Sequence, residues 1–319
     1  MSIVNVYCVF IFAVLISFQI GQAQPVRLSG GDTLTVAFTG DILLDRGVRR
    51  QIESHGIESI FDARADSVFR CSDLVVGNLE CPATALKTPM MKKFVFRAEP
   101  EWLEALRAHG FTHLNLANNH SVDQGRRGLV DTWHNVERYG MTAVGVGNTM
   151  AEAAQPVLLV EYPRKVWLIA SLQMPLEHFP YLPEAPSVNQ ESIDSMVVRI
   201  RALRAEDSTA VIIVSLHWGQ EHTLEPTPMQ RRAAHRLIDA GADALVCHHT
   251  HTLQIIEQYH GKYIYYSLGN FIFDQDRDIN RRTCVPQVMV TRDSVWVRDN
   301  FLEKKITPFA NKGRDEQNN

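Results

Sequence analysis

Apolar positions along this chain follow two alternating rhythms. Short runs rich in β-branched side chains give way to longer stretches in which apolar residues recur every three or four positions. TLTVAFTGD (Thr33 to Asp41) reads as a strand that stops at Gly-Asp, and SDLVVGNLE (Ser72 to Glu80) as a second, buried strand. GIESIFDARADSVFR between them has helical periodicity. PEWLEALRAHG opens on proline and closes on glycine, the punctuation of a helix. FTHLNLANNH (Phe111 to His120) reads as a third strand, with the helix QGRRGLVDTWHNVERYG behind it.

The second half repeats the rhythm. SIDSMVVRIRALRAE and PMQRRAAHRLIDAG read as helices, STAVIIVSLHW (Ser208 to Trp218) and ADALVCHH as buried strands. Two segments read as hairpins: PVLLVEYPRKVWLIASL turns near Pro163-Arg164, and LQIIEQYHGKYIYYSLGNFIF at His260-Gly261. Strands separated by helices imply parallel βαβ units, and the hairpins add antiparallel pairs, so the sheets should be mixed. QVMVTRDSVWVRDNFLEKKI is expected to close a sheet edge as a further strand pair.

The start of the chain differs from this pattern. From Met1 to Gln24 no side chain is charged, and VYCVFIFAVLISF is almost wholly apolar. Residues 1–23 are expected to be a signal peptide cleaved before Gln24, with an uncleaved N-terminal anchor as the alternative. Either way the body is expected to be exported, to the periplasm or beyond the cell. Residues 33–275 read as one domain and 276–319 as edge strands and tail. An apolar content of 45% with 21% charged residues excludes a disordered or fibrous chain. The net charge of −4 gives no reason to expect nucleic acid as a partner. Cys71, Cys81, Cys247 and Cys284 could form disulfides, Cys71 and Cys81 being the closest pair in sequence, but they read as buried free thiols, because a domain of this size needs no disulfide framework.

Polar residues collect where strands end, the place where α/β proteins gather their ligands. Asp41 closes the first strand; Asn78 and Glu80 close the second; Asn118, Asn119 and His120 close the third. His217, Trp218 and Glu221 end a later strand, and His248, His249 and His251 the next. Strand alternation places His249 and His251 on one face and points His248 away. Aspartate, asparagine and histidine without a cysteine cluster suit a divalent Zn, Mn or Fe ion rather than a structural zinc.

Six motifs then carry a resemblance. FTGDILLDRGV, VVGNLE, NLANNHSVDQG, SLHWGQEH, CHHTHTLQ and YYSLGNFIFDQ occur in this order from about Thr35 to Gln275. The series resembles the CapA-like capsule and poly-γ-glutamate biosynthesis family, relatives of the calcineurin-like metallophosphoesterases. That resemblance implies an α/β fold in four layers, two mixed β-sheets flanked by helices. Carried over residue by residue, it implies Asp41, Glu80, Asn119, His217, His249 and His251 as metal ligands. His120 would lie beside the substrate as proton donor, with Glu221 as a second catalytic candidate. Asn78, Asp123, Trp218, His248 and Asn270 would support the ligands or meet the substrate.

Two departures bear on the metal count. Metallophosphoesterases open with Asp-x-His, whereas this chain reads Asp41-Ile42-Leu43; their Gly-Asp is here Gly77-Asn78-Leu79-Glu80. One divalent ion and two therefore both stay open. The implied activity is metal-dependent hydrolysis in making or trimming a capsule polymer. A non-catalytic metal-binding subunit for polymer assembly or export, and a general phosphoesterase, are the alternatives. The implied partners are an anionic polymer such as poly-γ-glutamate or a small phosphoester, together with membrane-bound synthase subunits. Basic pairs such as Arg49-Arg50 and Lys92-Lys93 read as solvated helix surface.

Overall fold

The computed structural model describes residues 32–303; the expected signal peptide and the end of the tail lie outside them. One sheet holds β1 (Leu34–Ile42), β2 (Leu74–Leu79), β3 (His113–Asn115) and β4 (Thr142–Val144). They are joined late in the chain by β13 (Asn270–Ile272), β15 (Gln287–Val290) and β16 (Val295–Arg298). The order is β16-β15-β1-β2-β3-β4, with β13 alongside the end of β1. The second sheet holds β6 (Val157–Val160), β7 (Val166–Leu172), β9 (Val211–His217), β10 (Ala244–His248), β11 (Ile256–Tyr259) and β12 (Lys262–Tyr265). Its order is β11-β12-β10-β9-β7-β6. Two short pairs, β5 (Val146–Gly147) with β8 (Ser187–Val188) and β14 (Arg282–Cys284) with β17 (Phe301–Glu303), complete the described strands.

Side-chain alternation builds three apolar layers. In β1, Val36 and Phe38 face the second sheet, while Ala37 faces outward to the helices α1 (Arg46–His55), α2 (Ala63–Arg70), α3 (Trp102–Ala108) and α4 (Gly125–Arg138). In β9, Val211 and Ile213 face the first sheet. Ile212, Val214 and Leu216 pack under α6 (Ile193–Glu206) and α7 (Pro228–Ala240). The remaining helix, α5 (Met150–Ala153), is a single turn. The result is helix, sheet, sheet, helix: the four-layer arrangement that the resemblance implies. Each fully buried valine, leucine or isoleucine contributes about 1.5–3 kcal/mol, so the three layers supply the main driving force. Both sheets are mixed, parallel inside and antiparallel where β15, β6 and β11 join.

Local chemistry sets the element ends. Thr227 and Gln230 form a reciprocal capping box at the start of α7, and Gly241 takes the left-handed conformation at its end. The helix expected over Gly56–Arg70 divides into a 3-10 turn, Ile57–Ile60, and α2. Asp62 causes the break, because its carboxylate accepts from Arg64 N at 2.7 Å and caps α2. The third strand is only three residues long. Beyond it the Asn115 side chain accepts from Ala117 N at 2.8 Å and Asn118 accepts from His120 N at 3.1 Å, so the chain turns where a ladder would have continued. The two expected hairpins form; His260 and Gly261, both at positive φ, make the two-residue turn of the second. The tail hairpin also forms, with β16 at the sheet edge and β15 inside it.

One close approach positions the site. A Cβ on Gly40 would stand 1.9 Å from the carbonyl oxygen of Gly269. Without one, Asp41 N donates to that oxygen at 3.0 Å, and Asn270 comes into register with Asp41. Among the described residues no helix is long and apolar enough to cross a membrane.

Candidate metal centre

The carboxyl ends of β1, β2, β9 and β10 meet between the two sheets, and the loop after β3 folds over them. Two sets of ligand atoms converge there. Glu80, His217 and His249 form one, Asp41, Glu80 and His251 the other, with the atoms of each set within 4.8 Å of one another. Glu80 belongs to both. His217 Nε2 lies 2.8 Å from Asn119 Oδ1, 3.1 Å from His249 Nδ1 and 3.5 Å from Glu80 Oε1. His251 Nδ1 faces two acceptors, Asn270 Oδ1 at 3.0 Å and Asp41 Oδ2 at 3.3 Å. The ring proton therefore sits on Nδ1, and the Nε2 lone pair is left 3.9 Å from Glu80 Oε1. Asn78 Nδ2 donates to Asp41 Oδ1 at 2.8 Å and holds that carboxylate in place.

Charge supports a cation here. Both oxygens of Glu80 are buried and neither has a hydrogen-bond partner. An orphaned buried carboxylate costs several kcal/mol unless a positive charge faces it. Burial, then the charges of Asp41 and Glu221, push its carboxyl well above the usual range. Asp41 behaves oppositely: burial opposes its ionisation, but hydrogen bonding from His248 and His251 outweighs this and holds its carboxyl well below the usual range. Burial keeps His217 well below its ordinary value and brings His249 down to about 4, so both are neutral imidazoles, the form that binds metals. Two carboxylates, three imidazoles and one amide oxygen, with no thiolate, fit a divalent cation.

Beside these ligands His120 Nδ1 meets Asp123 Oδ2 at 2.8 Å. Asp123 Oδ1 pairs with Lys92 Nζ at 2.6 Å, and that amine also donates to the Asn119 carbonyl at 3.0 Å. The Lys92 side chain is only 2% exposed, which corrects its reading as solvated surface: it bolts the Asn119-His120 loop down. Burial lowers His120, and Asp123 partly offsets the effect.

The structure brings Asp41, Asn78, Glu80, Asn119, His120, Asp123, His217, His248, His249, His251 and Asn270 together, and leaves two expected residues apart. Trp218 is buried on the helix side of the second sheet and donates to the Tyr266 carbonyl at 3.1 Å. Glu221 lies on an exposed turn, 3.5 Å from His222, and reaches the centre only through its charge. His248 requires a correction. It does not point away; its Nδ1 lies 3.4 Å from Asp41 Oδ1, because β10 ends there and the chain passes through positive φ at His249 and His251. Alternation holds only inside a strand. Cys247 faces the helix-side core, buried and free. Asn115 and Asn118, both donating to Asn78 Oδ1, complete the polar base of the site.

Comparison with known proteins agrees with this architecture. Residues 35–275 match the family described as Bacterial capsule synthesis protein PGA_cap. The PGA biosynthesis protein CapA of Bacillus subtilis (strain 168) is 32% identical over 271 residues, 83% of this chain and 70% of that protein. The capsule biosynthesis protein CapA of Bacillus anthracis is 30% identical over 257 residues, 79% of this chain, and the match spans 62% of its length. Among solved structures, a hypothetical protein from Thermus thermophilus aligns over 85% of this chain and all of its own, with a TM-score of 0.52 at 14% identity. The sulfate thiohydrolase SoxB of Thermus thermophilus aligns over 87% of this chain and 57% of its own, with a TM-score of 0.50 at 12% identity. These two show a shared fold. The chain belongs to the bacterial capsule synthesis protein PGA_cap family.

Proposed function

We propose that this chain is an exported, metal-dependent hydrolase that acts on an anionic polymer of the poly-γ-glutamate class during capsule synthesis. The observation that carries the proposal is Glu80, a fully buried carboxylate without hydrogen-bond partners, shared by two overlapping ligand sets. The relatives named for PGA and capsule biosynthesis supply the substrate class. The uncharged apolar start of the chain supports export.

Asp41, Glu80, Asn119, His217, His249 and His251 would hold the cation, Zn, Mn or Fe. Bound there, it supplies Lewis acidity and activates water near neutral pH. Sharing of Glu80 between the sets favours two ions over one. Asn78 and Asn270 orient Asp41 and His251. His120 is oriented by Asp123 at Nδ1, so that in its imidazolium form Nε2–H faces the leaving group and delivers the proton. The buried Lys92–Asp123 pair holds that carboxylate in place.

The test is elemental analysis of purified protein, followed by turnover of phosphodiester and γ-glutamyl substrates with the bound metal. His120→Ala should retain the metal and lose turnover; His249→Ala should lose both. If His120→Ala leaves capsule polymer yield and length unchanged, the chain is an assembly subunit and the hydrolase reading fails.

A further inference from the structure

We infer that Arg46 is the anion receptor of this site, binding a substrate oxyanion next to the bond presented to His120. The inference rests on the hydrolytic reading of the centre and adds the group that selects its substrate. The Arg46 guanidinium lies 4.9 Å from the centre of the Phe96 ring and 5.3 Å from that of Phe273. Phe96 packs on His120 at 4.2 Å between ring centres, and Phe273 on His251 at 4.4 Å. The guanidinium thus spans the two aromatic plates that back the proton donor and a metal ligand, and its charge reaches Glu80.

The surroundings hold it there at some conformational expense. Arg46 has φ 51°, a left-handed conformation that a non-glycine residue rarely adopts. Gly47 makes room for Asp274, since a Cβ at that position would stand 2.7 Å from the Asp274 Cβ. Asp274 accepts from Gly47 N at 2.9 Å and also pairs with Arg46 Nη2. That pair and the Asp45 cap occupy the first amides of α1, so the helix end itself is not the receptor. Arginine offers five donors in one plane. Asp274 takes Nη2, Nε is buried without a partner, and the side chain remains 32% exposed. Donors remain for a planar carboxylate or a phosphoryl group, the pairing that guanidinium geometry favours.

The experiment is isothermal titration calorimetry of metal-loaded full-length protein with three probes: oligo-γ-glutamate, its α-carboxamide counterpart and inorganic phosphate. Arg46→Gln should weaken binding of at least one anionic probe tenfold or more and leave the neutral oligomer's affinity unchanged. Loss for the oligomer alone identifies a carboxylate as the bound group; loss for phosphate alone identifies a phosphoryl group. Arg46→Lys keeps the charge and the ring contacts but loses the planar fork. It should show an intermediate loss at unchanged melting temperature and metal content, which serves if Arg46→Gln does not fold. The inference is overturned if wild type binds neither anion, or if the substitutions leave both anions' affinities unchanged. Equal losses for charged and neutral oligomers overturn it too, since a mere clamp between α1 and the Asp274 loop would give that result. Binding is read without turnover, so Arg46-dependent binding in a protein that hydrolyses nothing refutes the hydrolase reading and leaves Arg46 as an anion receptor with no bond to present.

Discussion

Glu80→Gln gives the sharpest test of the metal centre, because its effect on stability should change sign with the metal. The carboxylate is fully buried and both of its oxygens lack partners. Stripped of metal, the wild type must either hold an uncompensated buried charge or take up a proton to neutralise it, at a cost of up to about 3–5 kcal/mol. A glutamine keeps the shape and drops the charge, though its own unsatisfied amide costs about 1–3 kcal/mol. The difference predicts that Glu80→Gln is the more stable of the two in EDTA, by up to about 2 kcal/mol. For a chain of this size that corresponds to a rise in melting temperature of roughly 3–4 °C. With saturating divalent metal the order should reverse, because the variant has lost the ligand common to both sets. Differential scanning fluorimetry at neutral pH, with EDTA and with each of Zn, Mn and Fe, reads both arms. If Glu80→Gln is equally destabilised with and without metal, no cation balances Glu80 and the reasoning fails.

Other outcomes follow from single features. Gly40→Ala forces a methyl group against the Gly269 carbonyl, and should lower stability by at least about 2 kcal/mol in thermal melts while also disturbing metal affinity through Asp41 and Asn270. Burial brings His113 down to about 4 from the ordinary 6.5. Its folded form therefore resists protonation, so its contribution is complete above about pH 6.5 and is lost as pH falls toward 4, by up to about 3 kcal/mol. His113→Asn should flatten the acid limb of denaturant melts by that amount. Of Cys71, Cys81, Cys247 and Cys284, only Cys71 is exposed, and burial pushes the other three thiols up. Native alkylation followed by mass spectrometry should modify Cys71 and spare the rest.

Strands and helices were legible in the sequence because each has a single-period pattern of its own, and the polar strand ends were legible because they interrupt that pattern. Asp41, Glu80, His217 and His251 stand where those interruptions place them. The orientation of His248 was not legible, since it depends on the left-handed turn through His249 rather than on alternation. Trp218 misled for a related reason: it follows His217 at the end of β9, and its ring packs on the helix side of the second sheet. Arg46 and Lys92 left no trace in the pattern. Their meaning depends on Phe96, Phe273 and Asp123, which come from three separate segments and meet only in the folded chain. An exposed basic pair and a buried basic bolt look identical in one dimension.

The position of β1 has a consequence for biogenesis. The first described strand lies inside its sheet, and Leu34 pairs with Val290 near the other end of the chain. At about 5–20 residues per second, that partner leaves the ribosome roughly 13–50 s after Leu34 does. Until then one edge of β1 has no neighbour, and the β13 segment carrying Asn270 has not yet docked beside Asp41. The sheet therefore stays incomplete through most of the chain's synthesis. That is a hazard for a protein that folds where it is made, and an advantage for one that must be threaded through a narrow channel before it folds.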